Sequence, residues 1–336
     1  MANITYLFGA GASVGALPMV TQMAERIGSF INLIGSSQFA LNNLPIVKDR
    51  EETKAQILAI FINDLRWLQK ACYEHASIDT FAKKLYIRQD NIDLRRLKAT
   101  LSAYLILEQV YNYKVEKRYD AFFASILDND VSSFPSNIKI LSWNYDYQFE
   151  QAYSGFSDYT TISQNQSALK VVSKFQTRFQ LDNSFAIYKI NGTTGVYRHS
   201  HHQLYHTDNK IPTEFNLAVI EATLSDYYHI KYISDDVEST LSFAWENENQ
   251  AKIIDPIKEA TGNTDVLVVI GYSFPFFNRT IDRDIIKNMH GLNKVYFQAP
   301  DADNIKERFL SILPTMENDR LVSRFNVDQF FLPDEL

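Results

Sequence analysis

The feature that most constrains this chain is its opening, where a short apolar run ends in a cluster of glycines. ITYLF (Ile4 to Phe8) has the continuous hydrophobicity of a strand buried in a parallel sheet, and GAGASVGALP follows it directly. From Leu17 to about Leu33 the apolar spacing becomes helical. Strand, glycine-rich turn and helix make the first half of a nucleotide-binding βα unit. Gly9, Gly11 and Gly15 would let backbone amides approach a pyrophosphate at the helix N-terminus. The spacing departs from G-x-G-x-x-G because Val14 holds the third glycine position. An acidic residue closing a second strand about 20 residues on, as in dehydrogenases, is also missing. A turn with no ligand is the competing reading.

Between about Ser36 and Asp130 the pattern is almost wholly helical. Glu51–His75 repeats Ile57, Leu58, Phe61, Leu65 and Leu68 at helical spacing, and Asp93–Leu127 is long enough for two helices. SIDTFAKKL between them offers Ser77 or Asp79 as an N-cap. Strand-like runs return at Ile138–Trp143, Ser184–Ile190, Asp265–Gly271 and Lys294–Ala299, alternating with helical stretches near 237–260, 278–290 and 302–312. The expected fold is α/β: a Rossmann-like, doubly wound, mostly parallel sheet with an all-helical insertion. Residues 1–35 and 135–336 form the sheet domain and 36–134 the insertion. At 336 residues and 46% hydrophobic composition, the chain has enough material for both.

Two further motifs sit at strand ends, where open α/β sheets bind ligands. LSWNYDYQFE puts Asn144 and Asp146 just past one strand, a pair suited to ribose hydroxyls, or alternatively an Asx turn. IGYSFPFFNRTIDRDI places Gly271, Tyr272 and Ser273 after the most apolar strand, with Asp282 in the following helical turn. RHSHHQLYH gathers His199, His201, His202 and His206, with Asp208 close by. Its spacing matches no established zinc pattern, so it reads as a polar loop and no metal is expected.

Composition removes several classes. Lys and Arg total 33 against 40 Asp and Glu, a net charge of −7, which argues against direct nucleic-acid binding. Cys72 is the only cysteine, which excludes an internal disulfide and a four-cysteine zinc ribbon. Neither a secretory start nor an apolar run of membrane-spanning length is present, so the expectation is a cytoplasmic protein without membrane contact. The amphipathic stripes of the insertion suit a core or an oligomer interface, and a homo-oligomer is expected.

Taken in order, GAGAS, then NYD, then KING (Lys189–Gly192), then GYS resemble the sirtuin-like superfamily. More narrowly, the chain is similar to the bacterial sirtuin-like NADases of antiphage defence. The resemblance covers roughly residues 1–35 and 135–300. It implies that Gly9, Ala10, Gly11, Ala12 and Ser13 cradle the pyrophosphate of NAD, taken as substrate. It further implies that Asn144 and Asp146 hold the nicotinamide ribose and its attacking water, and that Gly271, Tyr272 and Ser273 serve the adenosine side. Gln298 falls where sirtuins often place an adenine-ribose ligand. The family's restraint of NAD consumption implies a trigger, through oligomerisation, a separate sensor, or a hexameric motor ATPase.

One position departs from the family. Its catalytic histidine before glycine is replaced here by Asn191. An amide orients a ribose hydroxyl but takes no proton near pH 7. Nicotinamide leaves through an oxocarbenium-like state without needing protonation, because its ring nitrogen already carries the positive charge. The expectation is therefore a weakened NADase with Asn144, Asp146 and Asn191 as its catalytic set. The alternatives are a sensor that binds NAD or ADP-ribose without hydrolysis, and a metal-dependent nuclease subunit using the histidines.

Overall fold

The computed structural model describes the chain except residues 49, 113–114, 176–183, 200–202, 206–213, 234–235 and 247–249. The first half runs β1 (Ile4–Phe8), α1 (Met23–Ile34), α2 (Lys54–Glu74), α3 (Ile78–Ile87), α4 (Asn91–Asn112), α5 (Lys117–Ile126), β2 (Ile138–Ser142), α6 (Gln148–Tyr153) and α7 (Ile162–Ala168). Next come β3 (Val171–Val172), β4 (Ala186–Lys189), β5 (Gly192–Arg198), β6 (Gln203–Tyr205), α8 (Leu217–Tyr232) and β7 (Val237–Leu241). The last part is α9 (Asp255–Thr261), β8 (Val266–Ile270), α10 (Arg279–Lys287), β9 (Lys294–Gln298), α11 (Ala302–Leu310) and β10 (Leu321–Arg324).

Seven strands form one parallel sheet in the order β10-β9-β8-β1-β2-β4-β3. A parallel sheet needs cover on both faces, and alternate side chains supply two cores. Leu7, Leu141, Leu267 and Val269 meet α9, α10 and α11 through Ile257, Ile285 and Phe309. Ile4, Tyr6, Phe8 and Val268 meet α5 and α6 through Tyr119, Phe123 and Phe149, with Phe330 of the C-terminal tail among them. This is the expected Rossmann-like, doubly wound arrangement. Each fully buried side chain of this size contributes roughly 1.5–3 kcal/mol. The chain moves outward from β1 through β2 and β4, then returns to the other side of β1 with β8. The strand order therefore reverses at β1, and the carboxyl edge between β1 and β8 is the switch-point crevice.

A third core joins α1, α2, α3, α4 and α8 to a small antiparallel sheet, β6-β5-β7. Caps begin its helices where the sequence offers them. Thr53 and Gln56 close a capping box on α2, Ser77 accepts from the Thr80 amide at α3, and Asn216 accepts from the Val219 amide at α8. α5, from within 36–134, packs on the large sheet, whereas α1 and α8, from outside that stretch, join the helical core.

Some local expectations fail. Helix was expected near 237–260, but Val237–Leu241 is strand β7, and the described helical backbone is the π-turn Gln250–Ile254 leading into α9. Val237, Thr240 and Leu241 of VESTL suit a pleated surface, and pairing with β5 fixes them there. The first helix begins at Met23 rather than Leu17, because 3-10 turns and Pro18 come first. α8 went unrecognised: its buried residues Val219, Ile220, Thr223, Leu224, Tyr227, Tyr228 and Ile230 cover about half the helix surface and mix Thr and Tyr among the apolar side chains, so no narrow apolar stripe marks it. Among the described residues no helix is long and apolar enough to cross a membrane.

Candidate active site

The switch-point crevice begins with backbone packed on backbone. The Gly9 amide donates to Ile270 O and the Gly11 amide to Gly271 O, each at 3.0 Å. A Cβ on Gly11 would lie 2.9 Å from Gly271 Cα, and one on Gly9 2.6 Å from Gly271 O. Gly271 has φ +60°, and a Cβ there would meet Ala12 N at 2.5 Å. These glycines thus have a packing reason before any ligand is considered. Arg118 of α5 clamps the turn from behind, donating to Gly11 O and Ala12 O at 3.1 Å each. The Gly15 amide is also engaged, donating to Glu116 Oε2 at 2.6 Å. Burial opposes ionisation of Glu116, but the hydrogen bond and charge of Arg118 and nearby amides hold its carboxyl below the usual range.

A cavity of about 850 Å³ opens from this junction, within the range of small-molecule sites, roughly 300–1,000 Å³. Of the residues expected to act, it gathers Ala10, Ser13, Asn144, Asp146, Asn191, Gly271, Tyr272 and Ser273. Gly9, Gly11 and Ala12 lie outside its lining, in the junction itself. Gln298 is also outside, and the tail takes its hydrogen bonds. Nε2 donates to Asn326 O and Gln329 O, and Oε1 accepts from the Phe331 amide.

The residues after β1 and β2 form one buried network. Ser13 Oγ donates to Asp146 Oδ2 at 2.7 Å, which spends its only proton. Tyr119, 3.0 Å from Ser13 Oγ, must then be the donor of that pair. Burial, with the nearby Asp146 charge, pushes the Tyr119 phenol well above its usual range and keeps it protonated. Asn144 Nδ2 donates to Gly9 O at 3.0 Å and Ser13 Oγ at 3.2 Å. Flipping the amide would set two carbonyl oxygens against each other, so the network fixes its orientation. Asn144 Oδ1, the remaining acceptor, has no protein partner among the described residues. Beneath, the fully buried Lys189 donates to Asp146 O at 2.7 Å and lies 3.7 Å from Glu150, holding the backbone of the motif.

The opposite wall joins a residue of the helical core to the carboxyl ends of β2 and β4. Asp79, in the first turn of α3, accepts a hydrogen bond from Tyr145 OH at 2.6 Å, and Tyr145 OH accepts from Asn191 Nδ2 at 3.4 Å. Asn191 Oδ1 accepts from the Ala244 amide at 3.1 Å, so this amide too has a fixed orientation. Burial raises the Asp79 carboxyl above the usual range, with the Tyr145 bond working against it. Burial and the Asp79 charge raise Tyr145 in turn. Sequence reading named Asn191 but missed Tyr145 and Asp79 as parts of this wall. Asp79 stood there only as an alternative N-cap, yet Ser77 performs that task and leaves the carboxyl to the cavity.

The loop after β8 completes the site. Tyr272 stacks on Trp143, with ring planes 7° apart, and its hydroxyl bonds the buried carboxyl of Asp282 at 2.9 Å. Burial raises Asp282 well above its usual range. Phe274 is held at φ +49°, a conformation that non-glycine residues keep only where surroundings enforce it. Arg308, donating to Ser273 O at 3.0 Å, is the only Lys or Arg lining the cavity among the described residues. Cys72 also lines it, its thiol pushed up to about 12 by burial.

The histidine segment takes no part in what is described. His199 bonds backbone at Asp236 and approaches Glu238 at 3.5 Å, while His201, His202, His206 and Asp208 lie outside the described residues. Among the described residues no three His, Cys, Asp or Glu side chains converge as metal ligands. No protein-family model and no curated protein matches the chain.

Proposed function

We propose that the chain is a sirtuin-like NAD glycohydrolase that cleaves the nicotinamide–ribose bond. The observation that carries this reading is the convergence of the GAGAS, NYD and GYS segments with Asn191 on one switch-point cavity. Asn144 Oδ1, left without a protein partner, accepts from a ribose hydroxyl or the attacking water. Asp146 holds Ser13 and so the turn, and Ala10, Ser13 and Arg308 face the phosphates. The ring stack of Trp143 and Tyr272 gives the cavity an aromatic wall. Gln298 leaves this scheme, since its amide is occupied by the tail. The resemblance adds a role as a triggered effector in bacterial antiphage defence, acting as a homo-oligomer or under a sensor or motor ATPase partner.

Asn191 favours a second reading. Without an imidazole at that place, the same cavity would serve as a sensor that binds NAD or ADP-ribose and does not turn it over. Incubation of the purified chain with NAD, alone and with candidate partners, separates the two. The hydrolase releases nicotinamide, whereas the sensor shows a ligand-induced rise in melting temperature with NAD intact.

A further inference from the structure

Asn191 lacks a basic nitrogen, but it is hydrogen-bonded, through Tyr145, to a carboxyl group that lines the same cavity. Asn191 Nδ2, Tyr145 OH and Asp79 Oδ1 form a continuous chain with steps of 3.4 and 2.6 Å. Asp79 makes no ion pair among the described residues, and Ser77 already caps its helix. Beyond its own backbone amide in the first helical turn and the Tyr145 hydroxyl, no partner among the described residues accounts for a half-buried carboxylate on the wall of a large cavity.

We propose that Asp79 is the proton acceptor of this site, serving in place of the histidine that Asn191 replaces; the proposal rests on the NAD-hydrolysis reading. The bond between C1′ of the ribose and the nicotinamide nitrogen breaks. Its electron pair passes to the ring nitrogen, which loses its positive charge. The oxygen of a water molecule held by Asn144 Oδ1 bonds to C1′, and the proton it sheds passes to the Asp79 carboxylate and then to solvent. NAD and water thus give nicotinamide, ADP-ribose and one proton, with no oxidant or metal involved. Burial moves the Asp79 carboxyl toward the range in which a base works best near neutrality. Tyr145 orients the carboxylate and is a positioning residue.

The test uses the full chain under whichever condition gives nicotinamide release. Asp79→Asn keeps the side-chain size and the acceptor for Tyr145, and it should lower kcat about 10²-fold while KM stays within about threefold. Asp79→Ala should lose as much, and sodium formate should restore at least about a tenth of the wild-type rate to it. Formate should leave the wild type and Asp79→Asn unaffected. A purely structural aspartate would show its loss in melting temperature and KM, with no response to formate, and that result overturns the proposal. Unchanged kcat in a folded Asp79→Asn overturns it too, while leaving the hydrolase reading standing. A wild type that releases no nicotinamide under any partner condition overturns both.

Discussion

Along the β1–β8 junction, the cavity wall is backbone against backbone. The Gly11 amide meets Gly271 O at 3.0 Å, and at Gly9, Gly11 and Gly271 no room remains for a Cβ. Across the cavity, Tyr145 and Asn191 follow the paired strands β2 and β4, and Asp79 of α3 reaches them through a side-chain hydrogen bond to Tyr145. The first wall is set by close packing and tolerates almost no change. The second hangs a carboxyl from α3 on the ends of β2 and β4 through one side-chain hydrogen bond. The comparison teaches that geometry is held by the sheet edge, while the carboxyl proposed as proton acceptor enters from the helical core by a single side-chain contact.

The largest break in that comparison should come from Gly11→Val. Its branched side chain would press on the Gly271 backbone, and overpacking of this kind costs about 3 kcal/mol. Denaturant unfolding without ligand should show that loss. A variant as stable as wild type that loses only NAD-induced stabilisation would make ligand approach, rather than packing, the reason for this glycine.

Asn191→Ala should have a smaller effect. Removing the amide frees the Ala244 N–H and the Tyr145 hydroxyl but leaves Asn144 and Asp79 in place. Nicotinamide release should fall by less than about tenfold, the equivalent of roughly 1.4 kcal/mol. Asn191→His should retain or raise it, since imidazole restores a proton acceptor with a pKa near 6.5. Abolition of release by Asn191→Ala would move the centre of the chemistry to residue 191.

How much of this was legible in the sequence follows the same division. The sheet-edge wall sits in contiguous words, GAGAS, NYD and GYS, each at the end of a strand whose apolar run announces it. β1, β2, β4, β8 and β9 were therefore found within about two residues of their ends. Asp79 lies in SIDTF, a segment with an ordinary capping pattern, and only the packing of α3 brings it to Tyr145 and Asn191. β5, β6 and β7 escaped because antiparallel pairing with one another, rather than local periodicity, fixes them. β3 has two residues and offers no periodicity at all. The sequence marks Asn144 as a partner for ribose hydroxyls; only the network shows that its donors are spent and its oxygen remains. Gln298 looked like a ligand residue because a tail folding back over β9 leaves no mark on KVYFQA.

Two carboxyl groups sharpen the contrast at the smallest scale. Asp79 opens on the cavity, whereas Asp282 is 2% exposed under Tyr272, and burial raises both. For Asp282 the protonated form is the one the fold favours. Its stabilising effect is complete below the unfolded value of about 4 and is lost as pH rises through its elevated folded value. Asp282→Asn mimics the neutral form, so the variant should melt on the order of 2 °C higher than wild type at pH 8 and show almost no gain at pH 4. A gain that does not grow with pH would mean that Asp282 carries no buried charge.

The most direct test of the central claim compares nicotinamide release from NAD by wild type and Asn144→Ala. Chromatographic quantification should be made with each partner condition and paired with a melting curve. The account predicts release by wild type and a loss of roughly 10²–10³ in the variant with its fold intact, as for other positioned groups acting on a developing charge. Undiminished release by a well-folded Asn144→Ala would contradict it.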